Sequence, residues 1–165
     1  MTDEITALAR LLGELALQKR AVIATAESCT AGGIAFAVTD VSGSSAWFDR
    51  GFVTYTNESK QEMIDVCETT LRAYGAVSVQ TAGEMAEGVM KHSRATHAVA
   101  VTGIAGPTGG VPSKPVGTVC FGFATRTDDG IDVQTETMWF DGDRSLVRQS
   151  TVAHALRRLC ELLAN

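Results

Sequence analysis

Apolar residues at Ile5, Leu8, Leu12 and Leu15 recur at helical spacing, and Thr2 with acidic residues behind it reads as an N-cap; the spacing predicts a helix up to Lys19. The run "AVIATA" at 21–26 is short, continuous and apolar, the pattern of a strand covered on both faces. A helix is expected next, from about Thr30 to Val38, weakened locally by Gly32 and Gly33. "DRGFVTYT" at 49–56 reads as a second strand, and Asn57 as the N-cap of a helix carrying "ESKQEMIDV". A long helix is predicted over 77–93 and another buried strand, "HAVAVTG", over 97–103. A glycine-rich loop leads from there to "TVCFGFATR" at 118–126, which a "DDG" turn at 128–130 joins to "IDVQTETMWF" as an antiparallel hairpin. The chain closes with a helix from about Asp143, its apolar stripe running through Leu146, Ala153, Leu156, Cys160 and Leu163.

Helices alternating with buried strands predict an α/β fold, a three-layer α/β/α sandwich around one mixed, mostly parallel sheet. In such sheets ligands bind beyond the carboxyl ends of the strands. Two loops qualify: 27–33 after the first strand and 103–117 after the third.

Composition narrows the function classes. With 165 residues, 45% hydrophobic and 20% charged, the chain suits one domain with a full core. It carries 14 Lys+Arg against 19 Asp+Glu and no basic run, so a nucleic-acid partner is not expected. No stretch has the charge and apolar pattern of a signal peptide or the length of a membrane span, so a cytoplasmic protein without a membrane partner is expected. The four cysteines, Cys29, Cys67, Cys120 and Cys160, are far apart and suggest neither a zinc site nor a disulfide framework; three of them read as small buried hydrophobes. Trp47 and Phe48 hint at a dimer contact, with burial in the core as the alternative.

The stretch "TAESCTAGG" at 25–33 carries the candidate chemistry. A strand that ends at Ser28 and restarts as a helix sets the hydroxyl on a tight turn beside backbone N–H groups that can hold an oxyanion or a phosphate. The alternative is that Ser28 or Thr30 is only an N-cap and the glycines serve packing. His92, His97 and His154 all fall away from the loops at strand carboxyl ends, which disfavours a Ser-His-Asp triad, and S-x-x-K is absent because Ala31 stands in the last position. "YTNESK" offers another base. Lys60 near the start of a helix feels the positive end of the dipole, which makes its neutral amine easier to reach. It is a candidate general base for Ser28, with the phenol of Tyr55 relaying a proton or fixing geometry; the alternative is an ordinary surface lysine. Cys29 is a second candidate nucleophile, activated if its thiolate sits at a helix N-terminus.

"VTGIAGPTGG" at 101–110 is neither a Walker A loop nor G-x-G-x-x-G, yet its N–H groups can form a nest for a phosphate or carboxylate. "DGDRSLVR" puts Arg144 and Arg148 on one face of the last helix, a possible phosphate fork or two solvated arginines. Glu84, Glu87 and Lys91 read as a charged helix face.

Taken in order, "AESCTAGG", "SSAWFDRGFVTYTNESK", "GAVS", "VTGIAGPTGG…KPVGTV" and "DGDR…VR" resemble the CinA carboxy-terminal domain family, which includes stand-alone nicotinamide-nucleotide amidases. The resemblance runs from about residue 5 to the C-terminus and implies a single domain over 1–165, without the amino-terminal molybdopterin-binding-like domain of longer members. It implies hydrolysis of the carboxamide of nicotinamide mononucleotide to nicotinate mononucleotide and ammonia, in pyridine-nucleotide recycling; that chemistry requires no metal or other cofactor, and a homo-oligomer, a dimer favoured, is expected from Trp47 and Phe48. A catalytically silent nucleotide-binding module of the same fold is the alternative. By the same resemblance Ser28 is the nucleophile, Lys60 and Tyr55 activate it, and the backbone at Cys29 and Thr30 supplies oxyanion donors. Thr102, Gly103, Ile104 and Gly106, with Arg144, would hold the ribose phosphate. One departure is Ala31, where many members have glycine, and a methyl group there would narrow the approach to the site.

Overall fold

A computed structural model describes residues 1–165. Five strands form one sheet in the order β2-β1-β3-β4-β5, with β1 at Ile23–Glu27, β2 at Phe48–Val53, β3 at His97–Gly103, β4 at Thr118–Thr127 and β5 at Gly130–Trp139. β1 pairs in parallel with both β2 and β3, whereas β4 pairs antiparallel with β3 and β5. Four of the five strands therefore point one way and β4 alone runs against them, the mixed and mostly parallel sheet that the pattern implies. Because β1 leaves toward β2 and the chain returns on its other side as β3, the order reverses at β1, and a crevice opens at the carboxyl ends of these strands.

The helices cover both faces. α1 (Asp3–Lys19), α2 (Gly33–Thr39) and α6 (Arg144–Ala164) pack on one face; α3 (Asn57–Ile64), α4 (Glu68–Tyr74) and α5 (Val79–Lys91) lie on the other. Alternation along the strands explains the difference between the two interfaces. Val99, Val101, Val119, Phe121 and Phe123 face α1 and α6, while Ala24, Ala26, Ala98, Ala100 and Ala124 face α5. Small residues let α5 approach closely: a Cβ on Gly122 would lie 2.2 Å from the Ala82 carbonyl oxygen, and one on Gly88 only 1.9 Å from that of Ile64.

Several boundaries differ from the sequence reading. α2 begins at Gly33 rather than Thr30, because Ala31 (φ 47) and Gly32 (φ 93) turn left-handed before it. Thr56, not Asn57, caps α3: its backbone is extended and its side chain accepts from the Ser59 N–H. Lys60 therefore stands a full turn inside the helix, away from the exposed dipole end. The stretch before α5 forms the separate α4, and α5 itself starts at Val79 behind the Ser78 cap. Trp47 is 2% exposed and packs against Gly13, so it belongs to the core rather than to an exposed contact surface; Phe48 is half-buried against the same core. Cys29, Cys120 and Cys160 are buried and Cys67 is exposed.

Candidate active site

The apolar strand β1 ends in Glu27 and Ser28. The Ser28 N–H continues the parallel ladder by donating to the Val101 carbonyl at 3.1 Å, and the chain then turns, with the Ala31 N–H on the Ser28 carbonyl at 3.1 Å. β2 ends beside it, the Thr54 N–H donating to the Glu27 carbonyl at 2.9 Å. From α3, Lys60 reaches back into the space between these strand ends. Its Nζ lies 3.1 Å from Ser28 Oγ, 2.9 Å from the Thr54 carbonyl and 3.2 Å from the Tyr55 carbonyl.

Lys60 is 1% exposed and all three of its partners are neutral oxygens. Burial without a counter-ion holds its amine below the ordinary lysine value of 10.5. Desolvation, not the helix dipole, is the cause. In the neutral form two N–H bonds satisfy the Thr54 and Tyr55 carbonyls, and the lone pair is left for the Ser28 hydroxyl. That arrangement suits a base for Ser28.

Ser28, Cys29, Tyr55, Lys60, Thr102, Gly103 and Arg144 line one cavity of about 200 Å³, together with Ala76, Val77 and Ala105. It contains no carboxylate or imidazole. His92 is bonded to Asp65, His97 to Thr96 and His154 to Glu136, all elsewhere. Burial pushes the Cys29 thiol up to about 12, with the nearby Glu27 carboxylate adding to it, so a reactive thiolate does not form there. The Tyr55 carbonyl accepts from Lys60, whereas its phenol accepts from Arg144 at 3.2 Å and forms no hydrogen bond with Ser28. The Thr102 hydroxyl donates to the Ala76 carbonyl at 2.8 Å, holding the "GAVS" segment against β3.

A second cavity of about 480 Å³ shares Ala105 and Arg144 with the first and extends over Pro107, Val116, Gly142, Asp143 and Ser145. Arg144 stands between the two, its Nη1 on the Gly106 carbonyl at 2.9 Å. The amides of Ala105, Gly106, Thr108, Gly109 and Gly110 have no acceptor within the protein, so the loop can serve an anion. The amide of Ile104 is not among them: it pairs with the Thr118 carbonyl.

Three sequence expectations place differently. Thr30 lies outside the Ser28 cavity, its hydroxyl donating to the Glu27 carboxylate at 2.6 Å. Arg144 and Arg148 do not form a fork: Arg148 donates to the Cys29 carbonyl at 3.0 Å and to that of Thr30 at 3.4 Å. Ala31 is exposed and lines no wall of the cavity, so its methyl group does not narrow the approach. Sequence reasoning missed Glu27. This 1% exposed carboxylate also accepts from the Ile34 and Ala35 N–H groups, so the N-terminus of α2 is occupied from within. The signal was an ionisable residue closing an otherwise apolar strand.

The CinA C-terminal domain model matches residues 5–163. The chain belongs to the CinA C-terminal domain family. Among its CinA-family relatives, nicotinamide-nucleotide amidohydrolase PncC of Escherichia coli K12 is 51% identical over 96% of this chain and 95% of its own length. The protein of the same name from Pseudomonas putida is 49% identical over 97% and 98%. In structure, the competence/damage inducible protein CihA from Agrobacterium tumefaciens superposes with a TM-score of 0.91 at 46% identity, covering 100% of this chain and 98% of that one.

Proposed function

We propose that this amidohydrolase cleaves the carboxamide of nicotinamide mononucleotide, giving nicotinate mononucleotide and ammonia, with Ser28 as nucleophile and Lys60 as its base. The observation that carries this reading is the buried contact between Lys60 Nζ and Ser28 Oγ at 3.1 Å, in a cavity that offers no other base. The names of the full-length relatives supply the substrate.

The chemistry follows from the groups present. Neutral Lys60 takes the hydroxyl proton as Oγ attacks the carboxamide carbon, which the positively charged pyridinium ring makes electrophilic. The Cys29 and Thr30 amides, which have no acceptor within the protein, serve in this reading as the donors to the developing oxyanion. Collapse of the tetrahedral adduct breaks the C–N bond, Lys60 returns its proton to the departing nitrogen, and ammonia leaves. Water then attacks the Ser28 ester with Lys60 again as base, and nicotinate mononucleotide is released. In this reading the pyridinium takes the smaller cavity and the ribose phosphate the larger one, beside Arg144 and the free Ala105 amide. Tyr55 acts at both ends: its carbonyl orients Lys60, and its phenol braces Arg144 at the junction of the cavities. Thr102 and Gly103 form the wall of the pyridinium site, and Gly106 fixes Arg144 through its carbonyl.

The test is product analysis. The purified protein should convert nicotinamide mononucleotide to equal amounts of ammonia and nicotinate mononucleotide, and should turn over free nicotinamide far more slowly. Binding of the nucleotide without ammonia release would establish a silent binding module instead.

A further inference from the structure

We propose that Arg148 is a positioning residue that sets the oxyanion donors of the Ser28 turn, with Glu27 fixing the far end of the same turn. This rests on Ser28 being the nucleophile. Arg148, in the second turn of α6, is half-buried, forms no ion pair, and directs its donors to two consecutive backbone carbonyls, those of Cys29 and Thr30. It lines neither the Ser28 cavity nor the larger one that Arg144 joins to it, so it acts through the backbone rather than on substrate.

The geometry of the peptide unit carries the consequence. In a planar trans peptide the N–H points opposite to the C=O of the same unit. Drawing the Cys29 carbonyl toward α6 therefore turns the Thr30 N–H away from α6. The Ser28 carbonyl is held inside the turn by the Ala31 N–H, which likewise turns the Cys29 N–H outward. Neither the Cys29 nor the Thr30 amide has an acceptor within the protein, and they are the first two amides after the nucleophile in the chain. A guanidinium bound to the carbonyl polarises the unit and makes its N–H a stronger donor. Glu27 completes the arrangement: it accepts from the Thr30 hydroxyl at 2.6 Å and from the Ile34 and Ala35 amides at 2.7 and 3.0 Å. The first amides of α2 are thereby used internally, and the amides of the turn are the ones left for an oxyanion.

The experiment compares Arg148→Lys, Arg148→Ala and Ser28→Ala with wild type on nicotinamide mononucleotide. A lysine keeps the charge but cannot bridge both carbonyls as a fork does. Loosening an oxyanion donor short of deleting it should lower kcat about 10- to 100-fold in folded Arg148→Lys, with KM within about threefold. The pH midpoint of kcat should stay at its wild-type value, because Lys60 is untouched. Guanidinium ion, below concentrations that unfold the protein, should restore part of the kcat of Arg148→Ala, and sodium chloride at equal ionic strength should not. Wild-type kcat in folded Arg148 variants, with Ser28→Ala inactive, would overturn the proposal and leave the Ser28 reading standing. Loss of folded protein in both Arg148 variants would overturn it too, by making the contact purely structural. Wild-type activity in Ser28→Ala would instead overturn the reading beneath it.

Discussion

Replacing Lys60 by methionine removes the amine while nearly keeping the volume of a side chain that is 1% exposed. The structure sets the size of the effect. Lys60 is the only base within reach of Ser28 Oγ, since the other polar side chains of the cavity are a phenol paired with Arg144, a buried thiol, a hydroxyl donated to Ala76 and Arg144 itself. Loss of a general base costs about 10²- to 10⁴-fold in rate, or roughly 2.7–5.4 kcal/mol on the barrier. With no substitute at hand, a fall of at least about 10³-fold in kcat is expected. KM should move little, because Lys60 contacts protein oxygens rather than the phosphate side of the site. Ammonia release at saturating nucleotide, measured across pH, is the assay. The base must be unprotonated, so wild-type activity should fall as pH drops through the lowered Lys60 pKa, below the ordinary 10.5, and this limb should vanish in the variant. Lys60→Met within tenfold of wild type, with the same pH limb, would refute the assignment.

Because the folded protein binds a proton at Lys60 less readily than the unfolded chain, the contribution of this residue to stability rises with pH from its lowered pKa up to 10.5; the Tm of wild type relative to Lys60→Met should climb over that window, and a flat difference would contradict it. Arg144→Ala should raise KM for nicotinamide mononucleotide about 10- to 100-fold and affect the riboside, which lacks the phosphate, much less; equal effects on both would remove Arg144 from the phosphate site. Ala31→Gly relieves a left-handed alanine at φ 47, worth about 1–2 kcal/mol, against about 0.4–1 kcal/mol of added chain entropy, so Tm should hold or rise slightly; a clear fall would show that the strain is not there. Gly122→Ala drives a methyl group into the Ala82 carbonyl and should cost about 1–3 kcal/mol, read as a Tm several degrees lower; an unchanged Tm would contradict the close α5 packing.

Much of the fold was legible because four of the five strands are either a short apolar run or part of a turn-bounded hairpin, and those signals are local. β1, β3 and the β4–β5 hairpin came from such patterns, as did α1 and α6 from their apolar stripes. What escaped was decided by contacts distant in sequence. Asn57 looks like a cap, yet the extended backbone at Thr56 places the cap one residue earlier, and the Lys60 environment then comes from burial between strand ends rather than from the dipole. The arginines of "DGDRSLVR" share a helix face, but Arg144 meets the Gly106 carbonyl and Tyr55 whereas Arg148 meets the Ser28 turn, a separation no spacing rule contains. Trp47 belongs to a short stretch, "SGSSAWFDR", with no helical or strand periodicity to assign its side, and is buried against Gly13 of α1. Ser28, Lys60 and Arg144 were found by residue type and resemblance; that Ser28 and Lys60 meet is a property of the β2-β1-β3 crossover.

The most direct test of the central claim is the rate of ammonia release from nicotinamide mononucleotide by Ser28→Ala, with equilibrium binding of the nucleotide measured on the same preparation. The Ser28 N–H stays on the Val101 carbonyl whatever the side chain, so the fold and the nucleotide site should survive loss of the hydroxyl. A loss of at least about 10³-fold in turnover, with binding within a few-fold of wild type, is expected of a serine amidase. Turnover within tenfold of wild type would contradict it and show that the amide is opened by a nucleophile other than Ser28.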